Sequence, residues 1–383
     1  MQAGTTIFEH MSGLARAHDA VNLGQGFPDF GWSDAVLGAA AEAVQRGNNQ
    51  YPPMRGLPEL RRAVCDHYAV HQGLVLSPDQ VIITSGATEA LAAGILAVVQ
   101  PGDEVIVFEP LYDAYLPLIR RAGGVPVPVR LNPPDWRIDA GALAAAISPR
   151  TRALILNNPQ NPAASVCPAA DLDIIAATCA AHDLIAISDE VWEHVLTGDA
   201  PHIPLASRPG MAARTIKIGS AGKILALTGW KVGWAVAEPS LAERVAGMHQ
   251  FLTFTTPPPL QSAVAVGLAL PPDWFAASRA RLTAAKARLS ETLFAAGWHL
   301  LPSAGSYFIS VDLAASGVAM DDIAFCERAV REVGVAAIPM SAFYAAAPET
   351  GLVRLCFAKS DAVLDEGALR LARARDLFSK GAA

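Results

Sequence analysis

Along the middle of the chain, short runs of aliphatic and β-branched residues alternate with longer stretches rich in Ala and Leu. Residues 81–84 (VIIT), 104–108 (EVIVF), 125–131, 153–156 (ALIL), 184–188 (LIAIS), 215–218 (TIKI) and 232–237 (VGWAVA) predict strands. Helices are predicted over 89–99, 116–122 and 171–182. The strands show little alternation of apolar and polar positions, so both of their faces are expected to be covered. That pattern predicts an α/β unit built on a mostly parallel sheet. In such a sheet ligands bind outside the carboxyl ends of the strands.

The tail has a different rhythm. A long helix is predicted over 276–296, followed by a strand at 307–311, a helix near 321–333 and strands near 335–338 and 353–357. This order predicts a smaller α+β unit. The first forty or so residues lack a strand–helix pattern of their own and are assigned to the same unit. The expected division is a large domain over 41–280 and a small domain made of 1–40 and 281–383.

Composition narrows the classes. At about 150 residues per domain, 383 residues suggest two or three domains. A hydrophobic fraction of 52% against 17% charged residues can bury a large core. The net charge is −7 and no Lys/Arg tract is present, which argues against nucleic acid and anionic membrane as partners. The longest uninterrupted apolar stretch, residues 90–99, is far below the roughly 18 residues a membrane span needs. The start, MQAGTTIFEH, has no basic segment followed by an apolar run, so no secretory signal is expected. Five cysteines, odd in number and without a CxxC pair, argue against a disulfide framework or a structural zinc site and fit a reducing cytoplasm.

Four segments carry candidate chemistry. Ser85-Gly86-Ala87-Thr88 joins a strand to a helix; free N–H groups and hydroxyls there make either an anion site or an ordinary N-cap. Asp189 follows the strand LIAIS and either faces a cationic ligand group in the crevice or caps the next helix. Lys223 stands in Ser220-Ala221-Gly222-Lys223. It is either a solvated surface lysine or, in this apolar setting, an amine whose lowered pKa makes it a nucleophile. Ser220 and Lys231 flank it, where both can serve a phosphate. Arg354 interrupts the apolar strand around 353–357; its partner is either a planar carboxylate or an internal acid in a salt bridge.

Taken in order, these segments resemble the class I and II aminotransferases, the pyridoxal-phosphate enzymes of fold type I. Within them the chain is most similar to the branch of kynurenine/glutamine transaminases and methionine aminotransferases. The resemblance runs from NLGQGFPDF at 22–30 to Arg354 and is most specific in SAGKILALTGWKVGW at 220–234. It implies a seven-stranded, mostly parallel sheet in a large domain with a smaller α+β domain beside it. It also implies that Lys223 holds pyridoxal 5′-phosphate covalently, that Asp189 pairs with the pyridine nitrogen, and that Tyr112 stacks on the ring. Asn161 would bond the phenolic oxygen, and Gly86, Ala87, Thr88, Ser220 and Lys231 would hold the phosphate. Arg354 would bind the substrate carboxylate and Gly26 would line the substrate site. Tyr51 and Phe254 would reach the active site of a partner subunit, so a homodimer with shared sites is implied.

The sequence departs from the family pattern at three points. Trp192 stands where a Tyr is common, and an indole donates a hydrogen bond but cannot accept one. The turn Asn161-Pro162-Ala163-Ala164 replaces Asn-Pro-x-Gly, and Thr255 stands where kynurenine-type enzymes carry His. Tyr112, Trp192, Phe254 and the segment Ser306-Tyr307-Phe308 suggest a largely apolar pocket. The expected reaction is therefore amino transfer from a neutral donor (Met, Gln, aromatic or another apolar amino acid) to a 2-oxo acid by a ping-pong mechanism. A C–S β-lyase on the same scaffold is the alternative. A regulator with an aminotransferase-like sensor domain is disfavoured by the acidic charge and by a resemblance that starts within the first two dozen residues.

Overall fold

The computed structural model describes residues 6–47, 49–198 and 201–379. Residues 1–5, where no secretory signal is expected, and 380–383, inside the expected small domain, lie outside the described residues. Three helices precede the first long strand: α1 (Ile7–Ala17), α2 (Asp34–Arg46) and α3 (Pro58–Gln72), with the two-residue β1 (Val21–Asn22) after the first. Strand–helix alternation then begins. β2 (Val81–Thr84) leads into α4 (Ala87–Val98), and β3 (Glu104–Glu109) into α5 (Tyr115–Arg121). β4 (Val125–Arg130) leads into α6 (Ala140–Ala145), and β5 (Thr151–Asn157) into α7 (Ala169–His182). β6 (Ile185–Asp189), β7 (Thr215–Ser220), the one-turn α8 (Ala221–Ile224) and β8 (Gly233–Val236) complete the large sheet. α9 (Pro239–Leu252), α10 (Pro258–Leu268) and α11 (Pro272–Ala295) carry the chain onward. The end consists of β9 (His299–Leu300), β10 (Phe308–Asp312), α12 (Asp322–Arg328), β11 (Val335–Ala336), β12 (Ile338–Pro339), β13 (Leu352–Cys356) and α13 (Asp361–Ser379).

The seven-stranded sheet has the order β2-β8-β7-β6-β5-β3-β4. The pairs from β7 through β4 are parallel, whereas β8 is antiparallel to both neighbours. β2 therefore runs in the same direction as β7, and the carboxyl ends of β2, β3, β5, β6 and β7 open on one edge. The continuous apolar runs are explained by burial: every residue of β2, β3, β7 and β8 is buried. β5 and β6 are buried except at their ends, and β4 at the sheet margin, VPVPVR, is largely uncovered; its two prolines are tolerated because an edge strand leaves one side unpaired. Helix α4 lies across β6, β7 and β8, with Ala90, Ala93, Gly94 and Ala97 on its buried face, small enough to let it sit close.

Two smaller sheets complete the fold. One has the order β12-β13-β10-β9; the other pairs β1 with β11. The chain differs here from the sequence expectation at two places. The first forty residues do contain a strand and two helix starts, and the single strand expected over 335–338 is two. Val335 and Ala336 pair with Val21 and Asn22, while Ile338 and Pro339 pair with Arg354 and Val353. A segment so short registers only through its partners, which lie more than 300 residues upstream in the first case. The expected domain limits at 40 and 280 fall within α2 and α11, and α2 packs against α10.

A buried charged cluster lies under the large sheet. Lys217 of β7 donates to Glu190 and, at 2.7 Å, to Glu193, and its ammonium lies 4.6 Å from the Tyr68 ring centroid. Burial alone would raise the Glu190 carboxyl, but the attraction of Lys217 and the hydrogen bond from His202 outweigh it and hold it at about 2. A carboxyl lowered from about 4.5 to about 2 stabilises the fold fully above pH 4.5 and loses that contribution as pH falls toward 2. Lys217→Met leaves two buried carboxylates without their cation, at a cost of about 3–5 kcal/mol. The expected outcome is a clearly lower melting temperature at pH 7, with the difference from the parent shrinking in acid. An unchanged melting temperature would show that the ammonium is dispensable.

Candidate active site

A cavity opens at the shared edge of the strands and is lined by Gly86, Ala87 and Thr88, by Tyr112, and by Asn157 and Asn161. Asp189, Trp192, Ser220, Lys223 and Lys231 line its other walls. They come from the ends of β2, β3, β5, β6 and β7 or the turns that follow them, and from the turn that leads into β8. The fold thus gathers ten predicted positions around one cavity, although they span more than 140 residues of sequence.

At one end stands the N-terminus of α4. Gly86 has φ of 75° and caps that helix, and a Cβ placed on it would lie 3.1 Å from Lys231 Nζ. Glycine therefore meets two demands there: the left-handed backbone and the close approach of the ammonium. Free N–H groups of the first helical turn, the Lys231 ammonium and the Ser220 hydroxyl line the same cavity, an arrangement suited to a multiply charged anion.

Asp189 ends β6 and is buried. Its Oδ2 accepts a 2.6 Å hydrogen bond from Tyr115, while Oδ1 has no partner among the described residues. Burial raises the carboxyl to about 6, against the opposing effects of the Tyr115 hydrogen bond and the Lys223 charge. A buried, half-satisfied carboxylate in a cavity wall is an acceptor waiting for a cationic donor.

Lys223, in the single turn of α8, donates from Nζ to the Tyr307 hydroxyl at 3.1 Å. The same nitrogen lies 4.5 Å from the Trp192 ring centroid. Burial lowers the amine to about 8, with Arg354 and Lys231 pushing the same way and Cys356 and Asp189 opposing. About a tenth is thus the free, nucleophilic amine at pH 7, against well under a thousandth for an ordinary lysine. Tyr307 in turn donates to Gly26 O at 2.8 Å, and its ring meets Trp192 edge-on at 4.5 Å between centroids. A Cβ on Gly26 would lie 2.7 Å from Phe308 Cζ, so the N-terminal segment comes this close only as glycine.

Arg354, 1% exposed, sits beside the cavity on β13. Nη1 donates to Asn161 Oδ1 at 2.7 Å and Nη2 to Gly24 O at 3.1 Å, while Nε has no partner among the described residues. Its Cζ lies 3.8 Å from the Phe308 ring centroid. The internal acid allowed for by the sequence is not what it binds, since both hydrogen bonds go to neutral oxygens. Tyr51 and Phe254 are not brought to this cavity. They stack edge-on at 5.6 Å on the outside of the chain, where Tyr51 is 82% exposed.

Three contributors escaped the sequence reading. Tyr115 stands one residue before the helix expected over 116–122 and opens α5, and no local pattern marks its hydroxyl as a donor to Asp189. Asn157, whose Oδ1 accepts from Asn161 N at 2.7 Å, looks like a polar strand end. Tyr307 was expected only as a pocket wall, and its bond to Lys223 crosses 84 residues.

This geometry describes an enzyme site built around a desolvated amine facing a desolvated carboxylate. The family model for aminotransferase class I and II matches residues 18–371. The probable N-succinyldiaminopimelate aminotransferase of Mycobacterium tuberculosis is 44% identical, covering 96% of this chain and 95% of the relative. The methionine aminotransferase of Escherichia coli is 40% identical over 97% of this chain and 96% of its own length. Rat kynurenine–oxoglutarate transaminase 1 is 33% identical over 95% and 94%. The solved structures of the Mycobacterium tuberculosis and Escherichia coli proteins superpose with a TM-score of 0.94 each, over 97% of both chains. The chain belongs to the class I and II aminotransferases. It is an enzyme that moves an amino group from an amino acid to a 2-oxo acid; the lyase alternative finds no support among these relatives, all named for amino transfer.

Tyr115→Phe removes the phenol that helps hold the Asp189 carboxyl down. The Asp189 pKa is then expected to rise above about 6, and the acid limb of the kcat/KM profile should move to higher pH. An acid limb that stays in place would show that Tyr115 does not set the charge of Asp189.

Proposed function

We propose that the enzyme uses pyridoxal 5′-phosphate, works as a homodimer, and takes neutral amino acids as preferred donors. The observation that carries the cofactor reading is the unpartnered Asp189 Oδ1. The cavity it lines also holds the Lys223 amine and the α4 N-terminus. A protonated ring nitrogen fits the carboxylate, an aldehyde fits the amine, and a phosphate fits Gly86, Ala87, Thr88, Ser220 and Lys231. When bound, this cofactor supplies an electron sink for the bond broken at the substrate Cα.

The chain's own residues would do the rest. Asp189 keeps a positive charge next to it by staying ionised. Lys223, with its amine at about 8, takes and returns the proton at the substrate Cα. Tyr307 orients that amine, and Trp192 and Tyr307 together keep water from it. Arg354 fixes the substrate carboxylate through its unpaired Nε and forked nitrogens, and so orients the Cα–H bond. Asn161, its oxygen engaged by Arg354, has its amide N–H groups left for the cavity. Tyr112 supplies the ring face and Gly26 the backbone wall.

The division into a large domain over 41–280 and a small domain of 1–40 and 281–383 belongs to the same reading, since Arg354 and Gly26 then come from one unit and Lys223 from the other. The dimer reading rests on the exposed apolar surface of Tyr51, Phe251, Leu252 and Phe254, with Phe251 84% exposed. Phe254 also has φ of 66°, a strained value for an aromatic residue. A second subunit would cover this face and bring Tyr51 and Phe254 to its own site.

Two experiments test the proposal. Borohydride reduction of the loaded enzyme, followed by peptide mapping, should place the cofactor on Lys223, and Lys223→Ala should lose the visible absorbance; attachment elsewhere overturns the assignment. Single-turnover rates should be fastest with Met, Gln or aromatic donors, because Tyr112, Trp192, Tyr307 and Phe308 surround the approach. The 44% identical relative is named for a donor bearing a succinyl group, so that compound belongs in the series. Fast reaction confined to it or to Asp would overturn the neutral-donor reading.

A further inference from the structure

A second cavity lies on the far side of the strand-end loop from the first, bordered by His71, Glu193, His194, His202, Arg279 and Thr283. Three histidines meet at its edge: His71 and His194 line it, and His67 lies buried behind them, its ring against both. His67 and His71 are four residues apart on α3 and project from one helix face, the spacing by which a helix presents two imidazoles to one ion. His194 comes from the loop that follows β6, five residues past Asp189. One ring nitrogen from each lies within 4.8 Å of the others, and His67 Nε2 and His194 Nε2 are 2.8 Å apart.

We infer that His67, His71 and His194 form a binding site for one divalent transition-metal ion of the zinc class. Imidazole nitrogen suits such ions, and three histidines with one open position form a known coordination set. The supporting contacts favour it. His67 Nδ1 lies 3.2 Å from Leu268 O; donation to that carbonyl fixes the tautomer and turns the Nε2 lone pair toward His194 Nε2–H at 2.8 Å, a proton that a bound ion would displace. His194 Nδ1 is buried with no partner among the described residues, so the protein alone leaves the cluster's polar atoms incompletely matched.

Tetrahedral zinc with bonds of about 2.0–2.1 Å sets its nitrogens roughly 3.4 Å apart, so the cluster must rearrange slightly. His71, half-buried at the cavity edge, has the room to swing inward. The fourth position is left to water from the cavity. Arg279 opposes a bound cation, and the Glu193 carboxylate favours one. The neighbouring group Glu190, Glu193 and His202 is equally compact, but Lys217 already supplies its cation. A bound ion would tie α3 to the loop that carries Trp192, and it would stabilise the fold because the unfolded chain lacks the site.

The test is isothermal titration of the tag-free holoenzyme with Zn²⁺, with Co²⁺ as the spectroscopic probe. One Zn²⁺ per chain, a raised melting temperature and the visible bands of four-coordinate Co²⁺ are expected. His71→Gln, at the cavity edge, and His194→Gln should each weaken binding at least tenfold, while His299→Gln on β9 should not. Absence of saturable binding, or binding unchanged in both variants, overturns the inference.

Discussion

The site depends on keeping two groups of opposite charge out of water. Asp189 ends β6 and Lys223 begins the turn after β7, and the parallel pairing of those strands places both on the same edge of the sheet. In water the carboxylate would be fully ionised near neutral pH and the amine fully protonated. Burial moves the two toward each other, the carboxyl up to about 6 and the amine down to about 8. Each becomes able to change its proton occupancy near the pH at which an enzyme works.

Desolvated groups of this kind need supports that fix their direction. Tyr115 holds one oxygen of Asp189 and leaves the other free; Tyr307 holds the Lys223 amine and is itself anchored on the Gly26 carbonyl. Trp192, in place of the tyrosine common in the family, presents a ring near the amine and packs edge-on against Tyr307. A phenol is thus still within reach of Lys223, but it arrives from the strand system around β10. The N-terminal segment is drawn in as well, because Gly24 and Gly26 offer their carbonyls to Arg354 and Tyr307.

Charge is handled differently on the other side of the sheet. Lys217 is shared between the Glu190 and Glu193 carboxylates there, whereas burial disfavours the charged form of His67, His71 and His194. The two clusters lie within one loop of the catalytic edge, so the segment 189–194 serves both faces. The exposed aromatic surface of Tyr51, Phe251 and Phe254 is the third chemically distinct region, and the single chain leaves it uncovered.

The sequence by itself determined the strands of the large sheet, because a strand buried on both faces must be continuously apolar, and VIIT or EVIVF can be read directly. It also determined the principal polar positions, Asp189, Lys223, Ser220, Lys231 and Arg354, since each interrupts an apolar or glycine-punctuated run. Relations that depend on long loops and on register arise only when the chain is packed. The split of 335–338 between two sheets depends on Val21 and Arg354. The pairing of Tyr307 with Lys223, the engagement of Arg354 by Asn161 and Gly24, and the meeting of His194 with the α3 histidines join segments far apart in the chain. Local periodicity records which face of an element is buried. It carries no information about which distant side chain is buried against it, and that choice is made by packing.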